Sequence, residues 1–92
     1  MGRPRESVLS QIAASVSSQQ FLDINPRRDG GMIYNNSTDD LFIALSDSVS
    51  TSVFTVKMVP SSYFELPERW QGEVWGVWSG TNGDAQVTEF DL

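Results

Sequence analysis

Apolar and polar residues alternate with a period of two along much of the chain after residue 30, as β-strands require. Residues 54–58 and 85–90 show this alternation and predict strands with one buried face. Every residue in 41–45 is apolar, which predicts a strand that is buried on both faces. The short aromatic segments 63–66 and 74–78 predict two further strands.

Turn-forming residues separate these segments. Asp29-Gly30-Gly31 predicts a turn before residues 32–34, and the polar run 35–40 predicts the next turn. Thr81-Asn82-Gly83-Asp84 is the strongest hairpin signal, because Asn-Gly readily adopts the positive φ angles of a type I′ turn. Short strands with this punctuation predict an all-β fold, either a small antiparallel β-sandwich or a barrel-like domain.

The first third of the chain allows two interpretations. Val8, Ile12 and Val16 are four residues apart, as in a helical stripe, but they also share the parity of one strand face. The segment contains several weak helix formers, so we expect a strand or an extended arm. Residues 20–24 predict another strand, which ends at Asn25-Pro26.

The composition allows one small domain and excludes several kinds of chemistry. With 92 residues, we expect an N-terminal arm or first strand in 1–18 and a β-sandwich domain in 19–92. The chain has no cysteine and no histidine, which excludes disulfides, thiolate metal sites, Ser-His-Asp triads and Cys-His pairs. We expect no cofactor, and we expect the extra stability of so small a fold to come from self-association or from docking on a partner.

The charge is uneven along the chain. The net charge is −6, and residues 29–92 carry ten carboxylates against two basic side chains. Such an acidic body argues against nucleic-acid binding, which needs a basic surface. Arg3, Arg5, Arg27 and Arg28 make the N-terminal part weakly basic, so it either meets an acidic partner or lies in solvent. Arg27-Arg28 is expected to be either a salt-bridge or interface anchor, since arginine makes fixed bidentate contacts, or an exposed loop pair. We expect neither a signal peptide nor a membrane segment, because no apolar run is long enough.

Five aromatic residues lie within sixteen positions, at Tyr63, Phe64, Trp70, Trp75 and Trp78. Such a cluster serves either as core and protein–protein anchors or, less commonly, as a platform on which sugars stack. Trp75 and Trp78 have opposite parity in one predicted strand, so we expect only one of them to face the core.

The carboxylates predict no metal and no catalytic site. Calcium sites need several oxygen ligands at defined offsets, and the chain has no EF-hand-like loop. Glu65, Glu68 and Glu73 offer carboxylate pairs of the kind that glycosidases use, but any chain with twelve acids offers such pairs. We therefore expect a binding protein and not an enzyme. The aspartates in the predicted turns are Asp39, Asp40, Asp47 and Asp84.

One ordered set of segments goes beyond generic strand patterns. It consists of Asn25-Pro26-Arg27-Arg28, Ile33-Tyr34-Asn35-Asn36-Ser37, Leu41-Phe42-Ile43-Ala44-Leu45, Phe54-Thr55-Val56-Lys57-Met58, Tyr63-Phe64-Glu65-Leu66-Pro67, Gly72, Gly76-Val77-Trp78, Asn82-Gly83 and Val87-Thr88-Glu89. This order resembles small virion proteins of tailed bacteriophages, including the capsid cement (decoration) proteins of cyanophages, over residues 20–90. The resemblance implies a β-sandwich-like domain on the outer capsid surface that clamps neighbouring major capsid protein subunits.

The function we expect is therefore that of a capsid cement protein, made in the host cytoplasm, located on the virion exterior and acting as a homo-dimer or homo-trimer. The alternative is an adhesin module, associated with a phage tail or fibre, that binds a host surface glycan. Buried apolar area together with strand-edge or arm pairing would hold the capsid subunits. The expected contact residues are Arg3, Arg5, Val8, Leu9, Arg27, Arg28, Tyr63, Phe64 and Trp70.

Overall fold

A computed structural model describes residues 6–92, and the regular structure in this range is entirely β. No helix in the described range could cross a membrane. The strands are β1 (Glu6–Ala13), β2 (Gln19–Leu22), β3 (Arg28–Ser37), β4 (Leu41–Ala44), β5 (Val56–Met58), β6 (Tyr63–Glu65), β7 (Val74–Trp78) and β8 (Gly83–Asp91). The prediction of an all-β fold is confirmed.

The strands form two antiparallel sheets that pack face to face as a sandwich. The first sheet has the order β1-β8-β3-β6 and the second has the order β2-β7-β4-β5. Ile33 and Val87 of the first sheet share one core with Leu41, Ile43 and Trp78 of the second. This core forms because alternate side chains of each strand point to the same face of its sheet.

Residues 6–13 belong to the sandwich. β1 is an edge strand that pairs with β8 from Glu6 to Ala13, so Val8 and Ile12 lie in a strand and not in a helix. The chain then crosses to the second sheet, where the Trp78 amide donates to the Ser15 carbonyl at 2.9 Å. This connection places β1 and β2 at the same side of the sandwich.

The prediction of a hairpin at Asn82-Gly83 is wrong. β7 and β8, which flank this turn, belong to different sheets, so the connection crosses the sandwich instead of joining neighbours. Gly83 does have a positive φ of 108°. A Cβ on Gly83 would lie 2.5 Å from the Asn36 carbonyl oxygen, so glycine is needed here for close strand approach as well as for its backbone conformation.

The predicted turn at Asp29-Gly30-Gly31 lies inside β3, whereas the turn predicted at 35–40 is confirmed only for residues 38–40, because β3 continues to Ser37. Gly30 and Gly31 continue the strand, and a Cβ on Gly31 would lie 2.8 Å from Leu66 Cδ1. The glycine therefore serves close packing rather than a turn. Asn35 also stays in the strand, because its buried amide donates to the carbonyls of Asp39 and Met58 at 2.9 and 3.0 Å. Local composition misplaced the first turn and the start of the second, since Leu66 and Met58, which contact these strand residues, are distant in sequence.

Candidate protein-interaction surface

The first sheet has one face that its own chain leaves uncovered. The strand register places Leu9, Thr88 and Met32 in one row across β1, β8 and β3. The next row holds Gln11, Gln86, Tyr34 and Tyr63. These residues have the parity opposite to the core residues Ile33 and Val87, so they point away from the second sheet. We call this surface the outer face of the first sheet.

Apolar groups are exposed on this face. Leu9 is 73% exposed and Tyr63 is 66% exposed, and Tyr34 is also exposed. Between the two tyrosines and β8 lies a shallow groove of about 310 Å³, lined by Met32, Ile33, Tyr34, Tyr63, Gln86 and Thr88. On this face, exposed apolar side chains alternate with polar ones such as Thr88 and Gln86. Such a mixed surface that includes tyrosines is typical of non-obligate protein–protein contact sites.

A hydrogen-bonded carboxylate forms one border of the outer face. Asp84 accepts hydrogen bonds from the side-chain amides of Gln11 at 2.8 Å, Gln86 at 2.9 Å and Asn36 at 3.1 Å. The bond from Gln11, followed by those from Gln86 and Asn36, lowers the pKa of Asp84 from its ordinary value of 3.8. The carboxylate of Asp84 on β8 is therefore hydrogen-bonded to side chains of both neighbouring strands, β1 and β3.

Three of the predicted contact residues are exposed on β1 or on this face. Leu9 and Tyr63 both lie on the outer face. Val8 points to the other side of β1, but it is exposed because β1 is an edge strand. A fourth, Arg27, is exposed and forms an ion pair with Glu6 of β1 at 3.2 Å. Arg3 and Arg5 lie outside the described residues.

Arg28 is built into the protein interior. Its side chain is completely buried and its Nε donates to Glu89 at 2.7 Å. The guanidinium also donates to the carbonyls of Asp23, Trp70 and Gly72. The planar guanidinium has five N–H donors in fixed positions. It therefore links the β2–β3 loop and the β6–β7 loop to Glu89 on β8. The side chain has no surface left for a partner, so the interface role expected for Arg28 is corrected to a structural one.

The remaining aromatic residues mostly pack inward. Phe64 and Trp70 are partly buried against the main core, and the Trp70 indole N–H donates to the Glu73 carbonyl at 3.2 Å. Part of each ring remains exposed, so the expected contact role of Phe64 and Trp70 stays a prediction. Trp78 is fully buried in the core, whereas Trp75 packs on the other face of the second sheet. The prediction that only one of these two tryptophans faces the core is confirmed.

In residues 6–92, no group of three or more His, Cys, Asp or Glu side chains is arranged so that it could hold a metal ion. Glu65 and Glu68 line a second groove of about 330 Å³ with Asp29. Glu73 is elsewhere, where it accepts hydrogen bonds from Gln20 and the Trp75 indole.

Sequence reasoning missed several residues of the outer face. Met32, Tyr34 and Thr88 were not expected to be contact residues, although they alternate with the buried Ile33 and Val87. That alternation was visible in the sequence. Parity alone does not say which set faces the core, because both sets contain apolar residues.

No family model matches the sequence, and no curated protein matches it. Among solved structures, the chain is similar to one described as "Bacillus endospore appendages form a novel family of disulfide-linked pili". The two chains are 13% identical, with a TM-score of 0.49, over 99% of this chain and 92% of the other.

Proposed function

We propose that this protein is a capsid cement protein of a tailed bacteriophage, and that the outer face of the first sheet is the surface that contacts the major capsid protein. The observation that carries the proposed binding role is the set of exposed apolar side chains on this face, which are Leu9 on β1, Tyr34 on β3 and Tyr63 on β6 in two adjacent rows. The assignment to a capsid rests on the sequence resemblance.

Exposed apolar side chains favour binding, because a partner removes their surface from water. Leu9, Tyr34 and Tyr63 expose apolar surface that would be buried in a stable contact, at a gain of about 25 cal/mol per Å². Tyrosine is a common anchor in such contacts because its ring is apolar and its hydroxyl is polar. A flat sheet face suits a protein partner better than it suits a small molecule, which needs an enclosed pocket.

The test is co-sedimentation of the full chain with capsids assembled from the major capsid protein encoded in the same genome. We expect saturable binding at a fixed ratio to capsid subunits. Tyr63→Glu places a charge on the outer face and should weaken binding about tenfold or more. Val53→Glu is the matched control, because Val53 is an equally exposed apolar residue in the loop on the opposite side of the sandwich.

Two results would contradict the proposal. Absence of binding to capsids would remove the cement function. Equal binding by wild type, Tyr63→Glu and Val53→Glu would instead keep that function and exclude the outer face as its contact surface.

Arg3 and Arg5 remain predicted contacts, which the double variant Arg3→Ala/Arg5→Ala tests in the same assay.

One observation favours the alternative function, an adhesin module for host glycans. Tyr34 and Tyr63 are directly opposite each other on neighbouring strands, and Gln86 borders the same groove. Paired rings beside an amide could stack on a sugar and bind its hydroxyl groups. A glycan array separates the two functions: saturable binding that Tyr34→Ala removes supports the adhesin, and no binding across a broad panel excludes it.

A further inference from the structure

The free edges of the two sheets differ in how well they are protected against pairing. β2 is four residues long with a register irregularity, β5 is three residues long with Lys57 at its centre, and β6 is three residues long between Pro60 and Pro67. Short length, lysine, proline and irregularities all discourage a further strand from adding to an edge.

The edge formed by β1 has none of these features. It is eight residues long, regular in its register with β8 and free of proline and lysine. Glu6 carries the only charge on the strand, and it is paired with Arg27. Almost every residue of β1 is exposed. Such a strand is a ready template for one more strand.

The backbone groups that face this edge follow from the ladder. The Ala14 amide donates to the Gly83 carbonyl at 2.9 Å, directly after the last pair of the register, Ala13 and Asp84. The same register extended by one residue makes Ala14 and Gly83 a hydrogen-bonded pair. Hydrogen-bonded and non-hydrogen-bonded pairs alternate along an antiparallel ladder. The even-numbered residues of β1 therefore bond to β8, and the N–H and C=O groups of Ser7, Leu9, Gln11 and Ala13 point to the free edge.

We propose that β1 pairs antiparallel with β1 of a second copy of this chain, about a two-fold axis at Ser10. This register gives partners to every outward N–H and C=O group from Ser7 to Ala13 in both copies. A two-fold axis makes one strand its own complement, which is the usual geometry of a homodimer. The two first sheets then form one continuous sheet.

Side-chain chemistry agrees with this register. It places Val8 opposite Ile12 of the second copy, so two apolar groups meet beside the edge. Glu6 lies opposite Ala14 of the second copy, so no carboxylate of the strand faces another carboxylate. The outer faces of the two copies lie side by side, with Leu9 of each near the junction. Because each chain has a net charge of −6, added salt should strengthen the association by screening their repulsion.

Cysteine cross-linking tests the register, and the natural chain has no cysteine to interfere. Ser10 would oppose its own copy in a non-hydrogen-bonded pair, where the Cα atoms are about 4.5 Å apart and a disulfide fits. We expect Ser10→Cys to form a covalent dimer under mild oxidation. The control, Ser52→Cys, is an exposed serine in the loop outside the second sheet and should remain largely monomeric.

Solution mass tests the edge itself. The wild-type chain should sediment at about twice the 10.2 kDa of one chain. Leu9→Pro removes one outward N–H but no bond to β8, and should raise the dimer dissociation constant about tenfold or more. Circular dichroism shows whether Leu9→Pro still folds. If it does not, Leu9→Lys replaces it, because a lysine on an edge strand also discourages pairing.

The pairing is independent of the proposed function, because it is measured on the isolated protein. A monomer at all concentrations in the wild type would overturn it. So would cross-linking of Ser52→Cys as fast as Ser10→Cys, or a dimer that both Leu9 variants leave unchanged. Capsid binding by a protein that stays monomeric would retain the cement function and reject the dimer.

Discussion

The two sheets of the sandwich differ in what covers their outer faces. On the second sheet, Phe42, Ala44 and Val77 are covered by the loop between β4 and β5, which contributes the buried Val49. Phe54 from the same loop packs on Phe42 with ring centroids 5.0 Å apart. On the first sheet, no part of residues 6–92 covers Leu9 or Tyr63, which remain mostly exposed.

This difference separates stability from binding. An apolar sheet face costs free energy in water until something covers it. The chain covers the second sheet itself, so that face contributes to folding. The first sheet keeps Leu9, Tyr34 and Tyr63 in solvent, and this surface is available for a partner. Substitutions on the covered face of the second sheet should therefore lower the free energy of unfolding, and substitutions on the uncovered face of the first sheet should weaken partner binding.

The largest effect on stability should come from Phe42→Ala on the covered face. Phe42 is 8% exposed and supports the loop through Phe54. Removing a buried phenyl ring costs about 3–5 kcal/mol in free energy of unfolding. Urea denaturation measures this loss. A loss below about 1 kcal/mol would mean that the loop does not truly bury this face.

Val49→Ser should have the next largest effect. Val49 is the buried contact that the covering loop makes with the second sheet. Exchanging it for a polar side chain should cost about 1–3 kcal/mol and expose the loop to protease. Limited proteolysis within residues 46–55 is the readout. Val53→Ser is the matched control, because Val53 is exposed in the same loop and should change neither quantity.

Tyr63→Ser on the uncovered face should change the free energy of unfolding by no more than about 0.5 kcal/mol, because the ring is mostly in solvent. The same variant should weaken partner binding. Measuring both on one preparation sharpens the comparison with Phe42→Ala. A stability loss as large as that of Phe42→Ala would show that Tyr63 belongs to folding and not to binding.

The smallest effect should be the pH dependence due to Asp84. Its three hydrogen bonds lower its folded-state pKa, so its contribution to stability is present above the ordinary pKa of 3.8 and is lost as pH falls through the lowered value. Asp84→Asn should therefore lower Tm slightly at pH 7, and the difference from wild type should shrink in strong acid. Gln11→Ala, which removes the main donor, should weaken the same dependence. If the Tm difference between wild type and Asp84→Asn were the same at pH 7 and in strong acid, the charged carboxylate of Asp84 would not be the source of the stabilisation.

Particular residues show how far sequence reasoning reached. The continuous apolar run 41–45 predicted a strand buried on both faces, and β4 (Leu41–Ala44) is buried on both faces. The opposite parity of Trp75 and Trp78 correctly separated a core ring from one outside the core. Arg28 shows the limit, since an arginine beside a second arginine is typical of a surface, and only the folded chain brings Glu89 and three carbonyls around it.

The sequence by itself determined that the protein is all-β and has no cysteine or histidine chemistry, because periodicity and composition are local properties. Only the tertiary structure decided which sheet each strand joins, which parity faces the core, and which outer face is covered. Those choices depend on pairing between segments far apart in the chain: Asn82-Gly83 has the sequence of a hairpin, yet β7 and β8 find their partners elsewhere. The uncovered face and the unprotected edge of β1 both follow from that non-local pairing.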